Sequence, residues 1–228
     1  DPTTKVIPAI PGTPNPGSGG GVHVTGTSGT VNIMTSTITN NAAANQGGAL
    51  WNQDGTTMNV MSSTIDNNSA AVGGGIYNKP EAITNVMTST ITMNMATADG
   101  GGVFRAPTGT TGSLNINAST IATNSATNSG GGINGANEIT IKNSIVALNT
   151  AGSGTDVAGT VTSNDYNLIG TDDLDVFDAQ ANDIEEANPL VGPLQDNGGT
   201  TLTHALLDNS PAFNAGDPAD TFADQIGQ

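Results

Sequence analysis

One pattern recurs five times, and it limits the fold more than any other feature of the chain. Residues 31–41 read VNIMTSTITNN, 58–68 MNVMSSTIDNN, 84–94 TNVMTSTITMN, 114–124 LNINASTIATN and 139–149 ITIKNSIVALN. In register, a serine stands at Ser36, Ser63, Ser89, Ser119 and Ser144. Two residues later comes an apolar side chain, at Ile38, Ile65, Ile91, Ile121 and Val146. Three further on comes an asparagine, at Asn41, Asn68, Asn94, Asn124 and Asn149. The steps are 27, 26, 30 and 25 residues. No single copy of this length can bury its own apolar face, so the copies must stack as a solenoid.

Each copy reads as one coil of a parallel β-helix, an all-β fold. Val31-Asn32-Ile33 alternates apolar and polar, as do the matching residues of the other copies, and period two is the strand signal. A glycine run opens a further strand in each coil, at 19–21, 47–48, 73–75, 100–102 and 130–132. An inward apolar residue follows each run: Val22, Leu50, Ile76, Val103 and Ile133. The right-handed form is expected from the crossover rule for parallel strands. Stacking at about 4.8 Å per coil predicts that the asparagine column forms an internal amide ladder.

Composition fits one elongated body. Hydrophobic content is 35% and there are 31 glycines, which suits a narrow core filled by small side chains. Cysteine is absent, excluding disulfides and thiolate metal sites. No apolar run approaches the roughly 20 residues of a membrane helix. The net charge of −16, with Lys5, Lys79, Arg105 and Lys142 as the fixed cations, argues against nucleic acid as a partner. Three regions follow. Residues 1–18 hold five of the eleven prolines and read as an extended arm. Residues 19–170 are the solenoid. Residues 171–228 lose the repeat and are expected to form an irregular acidic cap or side layer. From Asp165 onward there are 13 carboxylates and no Lys or Arg.

The segment NPLVGPLQDNGGTTLTHALLDNSPAFNAGDP, residues 188–218, resembles the signature of the bacterial choice-of-anchor Q surface proteins. SGTDVAGTVTSNDYNLIG, residues 153–170, resembles the final coil of the same family. The GGGIYN run and the NSTI-like repeats resemble those of polymorphic outer-membrane proteins, which are right-handed parallel β-helices. The resemblance covers about residues 19–227 and implies a secreted or surface-attached protein, in a family mostly without known activity. The start at Asp1 is read as a processed or trimmed piece of such a protein.

Several side chains invite a chemical reading. Asp172, Asp173, Asp175 and Asp178 crowd one short stretch, and Ca²⁺ takes such oxygen ligands, although no DxDxDG loop is present. A glycosidase needs two carboxylates about 5–9 Å apart. The coil carboxylates Asp54, Asp66, Glu81, Asp99, Glu138 and Asp156 occupy different places in their repeats. A polysaccharide lyase needs a basic residue, and Arg105 stands without a carboxylate column beside it. His204 lies in a THALL segment suited to packing or hydrogen bonding. Catalysis is therefore not the expected function.

Two outward columns suggest surfaces. His23, Trp51, Tyr77, Phe104 and Asn134 follow the inward residue of each glycine-led strand. Trp51, Tyr77 and Phe104 would form an aromatic stripe, either covered by protein or open to sugar rings. Thr37/Thr39 and Thr90/Thr92 match an ice-binding Thr-x-Thr row, but Thr64/Asp66, Thr120/Ala122 and Ile145/Ala147 break it. The arm offers Val6, Ile7, Pro8, Ala9 and Ile10 as a short apolar strand that another subunit could accept. The expectation is a non-catalytic extracellular structural or adhesive protein, assembling into filaments through its arm. A monomeric glycan adhesin, a polysaccharide lyase or hydrolase, and an ice-binding protein are the alternatives.

Overall fold

The computed structural model describes residues 17–107, 111–135, 138–221 and 225. Its described elements are all strands. No described helix is long and apolar enough to cross a membrane. The strands form a parallel β-solenoid with three long sheets and one short one. The glycine-led sheet stacks Val22–His23, Leu50–Asn52, Ile76–Asn78, Val103–Arg105, Ile133–Gly135 and Val157–Gly159. The broad sheet stacks Thr30–Met34, Thr57–Met61, Ile83–Met87, Ser113–Asn117, Ile139–Lys142, Val161–Ser163 and Phe177–Asp178. The serine sheet stacks Thr37–Thr39, Thr64–Asp66, Thr90–Thr92, Thr120–Ala122, Ile145–Ala147 and Leu168–Ile169.

The register is the one the repeats predict. Ile38 pairs with Ile65, Ile65 with Ile91, Ile91 with Ile121 and Ile121 with Val146. These side chains fill the interior with Leu50, Ile76, Val103 and Ile133 from the glycine-led sheet, nearly all fully buried. The glycine run is forced by coil-to-coil approach. A Cβ on Gly48 would stand 2.1 Å from the carbonyl oxygen of Gly74, and Gly47 has φ of +64°.

Two corners per coil place other residues in the left-handed region. Thr35, Ser62, Thr88, Ala118 and Asn143 precede the ladder serines. Asn40, Asn67, Met93, Thr123 and Leu148 precede the ladder asparagines. Each turns the chain so that the next side chain enters the interior. The conformation is unfavourable for any residue with a Cβ, and most of all for Met, Leu and Thr.

Parallel pairing continues past the boundary expected at residue 170. Phe177–Asp178 extends the broad sheet from Val161–Ser163, and Ile184 bridges Leu168. The repeat motif has vanished by then, so the sequence pattern ends before the coil does. Beyond it, Val191–Gln195 and Thr203–Leu206 form an antiparallel hairpin. This hairpin lies as a side layer on the serine sheet, where Thr64 Oγ1 donates to the Leu202 carbonyl at 2.6 Å.

Candidate functional site

The polar interior explains most of the repeat. The backbone N–H and the Nδ2 of Asn41 both donate to Asn68 Oδ1 at 2.9 Å. Asn68 repeats this toward Asn94, Asn94 toward Asn124, and Asn124 toward Asn149, all at 2.9–3.0 Å. Each later amide also donates back to a carbonyl of the preceding coil, as Asn94 Nδ2 does to Ile65 O at 3.0 Å. The ladder ends on a carboxylate. Asn149 donates from N and Nδ2 to Asp156 Oδ1 at 2.9 and 2.8 Å. The bonds to the next side chain all run toward the C-terminal end, so a negative acceptor at that end complements them. Burial pushes the Asp156 carboxyl up to about 6, against the pull of hydrogen bonds from Asn149 and Thr171.

A second internal ladder uses the serines. The N–H groups of Ser36, Ser63, Ser89 and Ser119 donate to the Oγ of the next serine at 3.1–3.2 Å. Ser144 N donates to Asn167 Oδ1, and Asn167 in turn donates to Asp183 Oδ1 from N and Nδ2. Both ladders thus terminate at the same end on an aspartate.

The outward column of the glycine-led sheet forms as predicted. His23 stacks on Trp51 with ring centroids 4.1 Å apart, Trp51 on Tyr77 at 6.5 Å, and Tyr77 on Phe104 at 5.4 Å. The open sugar platform does not form. Trp51 is 3% exposed and Tyr77 7%, so these two ring faces are taken up by their neighbours. Trp51 Nε1 donates to Gln46 Oε1, and Lys79 Nζ sits 5.6 Å from the Trp51 ring centroid. Burial raises the Tyr77 phenol above its ordinary range, with Asp54 adding to the shift.

At the adjoining corner Lys79 pairs with Asp54 at 3.0 Å, and Glu81 N donates to Asp54 Oδ1 at 3.0 Å. Asp54 and Glu81 are therefore diagonal neighbours on successive coils, which different loop positions hide in sequence. Glu81 also accepts from Thr111 Oγ1. Arg105 points inward and is fully buried. Its guanidinium donates to the carbonyls of Gly112 at 2.8 Å and Pro80 at 3.2 Å. Burial pulls it below its ordinary range, with Glu138 and Glu81 opposing. A side chain bound to backbone inside the fold is not placed to take a proton from a polysaccharide.

The threonine face is covered over its middle coils while Thr37 stays exposed, so the long flat exposed row an ice-binding reading requires is interrupted. Thr64, Thr90 and Thr92 are at most 1% exposed. Thr92 Oγ1 lies 3.0 Å from His204 Nε2, whose Nδ1 lies 2.7 Å from Gly192 O. Thr90 Oγ1 donates to Gln225 Oε1 at 2.7 Å. Lys142 completes the docking with ion pairs to Asp217 at 2.8 Å and Asp220 at 3.2 Å. These bonds raise the Lys142 ammonium and lower the Asp217 carboxyl from their ordinary values.

The four clustered aspartates do not converge. Asp172 accepts from Val176 N and Phe177 N, and Asp173 from Gly154 N and Thr155 N. Asp175 turns the chain with φ of 52°, and Asp178 is an exposed strand residue. Among the described residues no three His, Cys, Asp or Glu side chains are grouped to hold a metal ion. The candidate assembly strand Val6–Ile10 lies outside the described residues.

No family model matches this chain, and neither does any curated protein or solved structure.

The broad sheet carries a row that the sequence reading passed over. On its outer side Asn59 Nδ2 donates to Asn32 Oδ1 at 2.7 Å, Asn85 to Asn59 at 2.8 Å and Asn115 to Asn85 at 2.8 Å. Thr140 Oγ1 closes the row on Asn115 Oδ1 at 2.9 Å. The signal was present as the polar member of each Val-Asn-Ile alternation, but a polar residue between two apolar ones reads as ordinary solvated strand. Beside it Met34, Met61 and Met87 form a second in-register row, with Met34 52% exposed.

Proposed function

We propose that this chain is a non-catalytic structural module of a bacterial cell surface, a stiff β-solenoid of the choice-of-anchor Q kind. One observation carries the reading: the side chains equipped for chemistry are spent on architecture. Asp156 and Asp183 end the internal ladders, Asp172 and Asp173 accept from backbone N–H groups, Arg105 holds loop carbonyls, and His204 pins the side layer. A general acid or base needs a proton-transfer partner in reach of substrate, and these groups have protein partners instead. In this reading the proline-rich arm, through Val6–Ile10, links subunits end to end, since a head-to-tail contact that does not close propagates as a filament.

Two assays test it. Incubation with a panel of polysaccharides, with and without Ca²⁺, is expected to release no reducing ends or unsaturated products. Release that Arg105→Ala or Asp54→Asn abolishes would overturn the non-catalytic reading. Electron microscopy of the purified chain is expected to show filaments that vanish on deletion of residues 1–16. A uniform monomer at high concentration would remove the filament part and leave the surface-module part standing.

A further inference from the structure

The outer face of the broad sheet has a composition at odds with the rest of the molecule. The chain has a net charge of −16. Yet Thr30–Met34, Thr57–Met61, Ile83–Met87 and Ser113–Asn117 present Thr, Asn, Met, Ile and Ser outward, with no charged residue among them. The first charge on this face is Lys142, on the next strand. Across each strand the asparagine sits in the middle, with the Met row on one side over three coils. The asparagines are already tied into one row, so their orientation is fixed before any partner arrives.

We propose that this face pairs with the same face of a second copy. The argument is electrostatic and geometric. Two bodies of like net charge repel least where they meet through a patch free of charge, and this face supplies one across four coils. A second copy has the same coil spacing, so its rows stay in step along the whole face. A two-fold axis lying in the plane of the face, parallel or perpendicular to the coil axis, sets asparagine row against asparagine row. Asn59 and Asn85 each spend one amide N–H on the neighbouring coil, which leaves a second N–H and an oxygen lone pair for a bond across the contact, while Asn115 Nδ2 also donates to Ser113 Oγ at 3.1 Å. The Met row adds adaptable apolar area.

The contact is small. Strands of five residues and four coils give roughly 330 Å² per copy, about two-fifths of a standard interface. Pairing is therefore concentration-dependent, and it gains strength where many subunits lie side by side. It does not depend on the arm-linked filament, because a different surface carries it.

Sedimentation equilibrium over a wide concentration range tests the proposal on the full chain, on the chain lacking residues 1–16, and on three variants. Asn85→Asp is nearly isosteric and places a charge in the central row. Met34→Glu changes an exposed side chain at the edge of the face, where folding is not at stake. Leu174→Glu adds the same charge to an exposed residue of the C-terminal region as a control. The expected result is reversible dimerisation by the full chain, the shortened chain and the control alike. Both face variants are expected to weaken it at least about tenfold, because they bring like charges together in the contact. The proposal is overturned if the full and shortened chains stay monomeric throughout, or if both face variants associate like the parent. Association lost only with residues 1–16 would favour the arm over the face. A protein that stays monomeric but is retained on a neutral polysaccharide, and loses that retention with Asn85→Asp, would assign the face to glycan instead.

Discussion

The coils and the C-terminal side layer solve the same problem in different ways. Both must satisfy buried polar groups. The coils do it by repetition: each ladder asparagine answers the one before it and binds the one after, so a single residue type at a single position serves five coils. The side layer does it with unique contacts, Thr64 to Leu202, Thr92 to His204, Thr90 to Gln225 and Lys142 to Asp217. In the coils, removal of one member leaves partners on two sides unsatisfied. In the side layer the contacts of one member do not pass on to an identical next one, so its removal leaves the others in place. The ladders therefore belong to the cooperative core, and the layer can loosen locally while the coils stay folded.

The largest expected effect lies in the ladder. Asn94→Leu strips the acceptor from the buried backbone N–H of Asn68 and breaks the amide bonds to Asn68 and Asn124 on either side. One orphaned donor and the two broken amide bonds predict a loss of about 3 kcal/mol in urea unfolding. A loss no greater than that of a side-layer variant would erase the contrast between the regions.

Asp156 gives an effect of similar size that depends on pH. Its folded carboxyl is raised to about 6 from an ordinary value near 3.8. The folded state therefore holds this proton more tightly than the unfolded chain. Its contribution is fully present below about pH 4 and is lost as pH rises through about 6, a change of about 3 kcal/mol. Lowered carboxyls such as Asp217 act in the opposite sense at lower pH, so the comparison must be made by difference. Subtracting the stability profile of Asp156→Asn from that of the parent is expected to isolate a fall between pH 4 and 6. A flat difference would show that the ladder terminus does not titrate there.

A side-layer contact is expected to matter less. Thr92→Val removes the bond to His204 together with one to the Thr123 hydroxyl on the next coil, and predicts a loss of about 1 kcal/mol. By hydrogen exchange, the change should appear in the hairpin Val191–Gln195 and Thr203–Leu206, with the coil strands away from Thr92 and Thr123 unaltered. Faster exchange throughout the coils would mean that the layer is part of their cooperative unit.

The corners predict a small gain. Met93 adopts φ of 54° and is 38% exposed. Met93→Gly relieves a left-handed side chain and predicts a net gain of about 0.5 kcal/mol in the same urea assay, after the entropy glycine loses. A loss instead would mean that Met93 packs more usefully than its exposure suggests.

The contrast between regions also governs how much the sequence revealed. Ser36 to Ser144 and Asn41 to Asn149 announced both internal columns because the same residue returned at the same place. The aromatic column was legible for the same reason, but its burial was not. Trp51 and Tyr77 are closed in by each other and by His23, Gln46, Val72, Phe104 and Ala106, and periodicity shows that a column aligns but not how tightly it packs. The left-handed corners left no trace, since Thr35, Ser62, Ala118, Met93 and Leu148 share no residue type. They are held by tertiary context against their own preference. The ladder termini were illegible too. Asp156 lies seven residues beyond Asn149 and Asp183 sixteen beyond Asn167, and no second copy reveals either role. The clustered aspartates misled for a related reason. Closeness in sequence brought Asp172 and Asp173 to separate backbone amides rather than to one another. The docking of the side layer on Thr64 and Thr92 joins residues more than a hundred positions apart through contacts that occur once.

Hydrogen exchange at the ladder corners tests the central claim most directly. The backbone N–H groups of Asn41, Asn68, Asn94 and Asn124 have side-chain acceptors on the next coil. If the ladders hold the coils together, Asn68, Asn94 and Asn124 exchange only through global unfolding, as slowly as the central strands Ile91 and Ile121. Exchange at the rate of solvent-exposed turns would contradict the account, because the asparagine column would then fill the corners without binding one coil to the next.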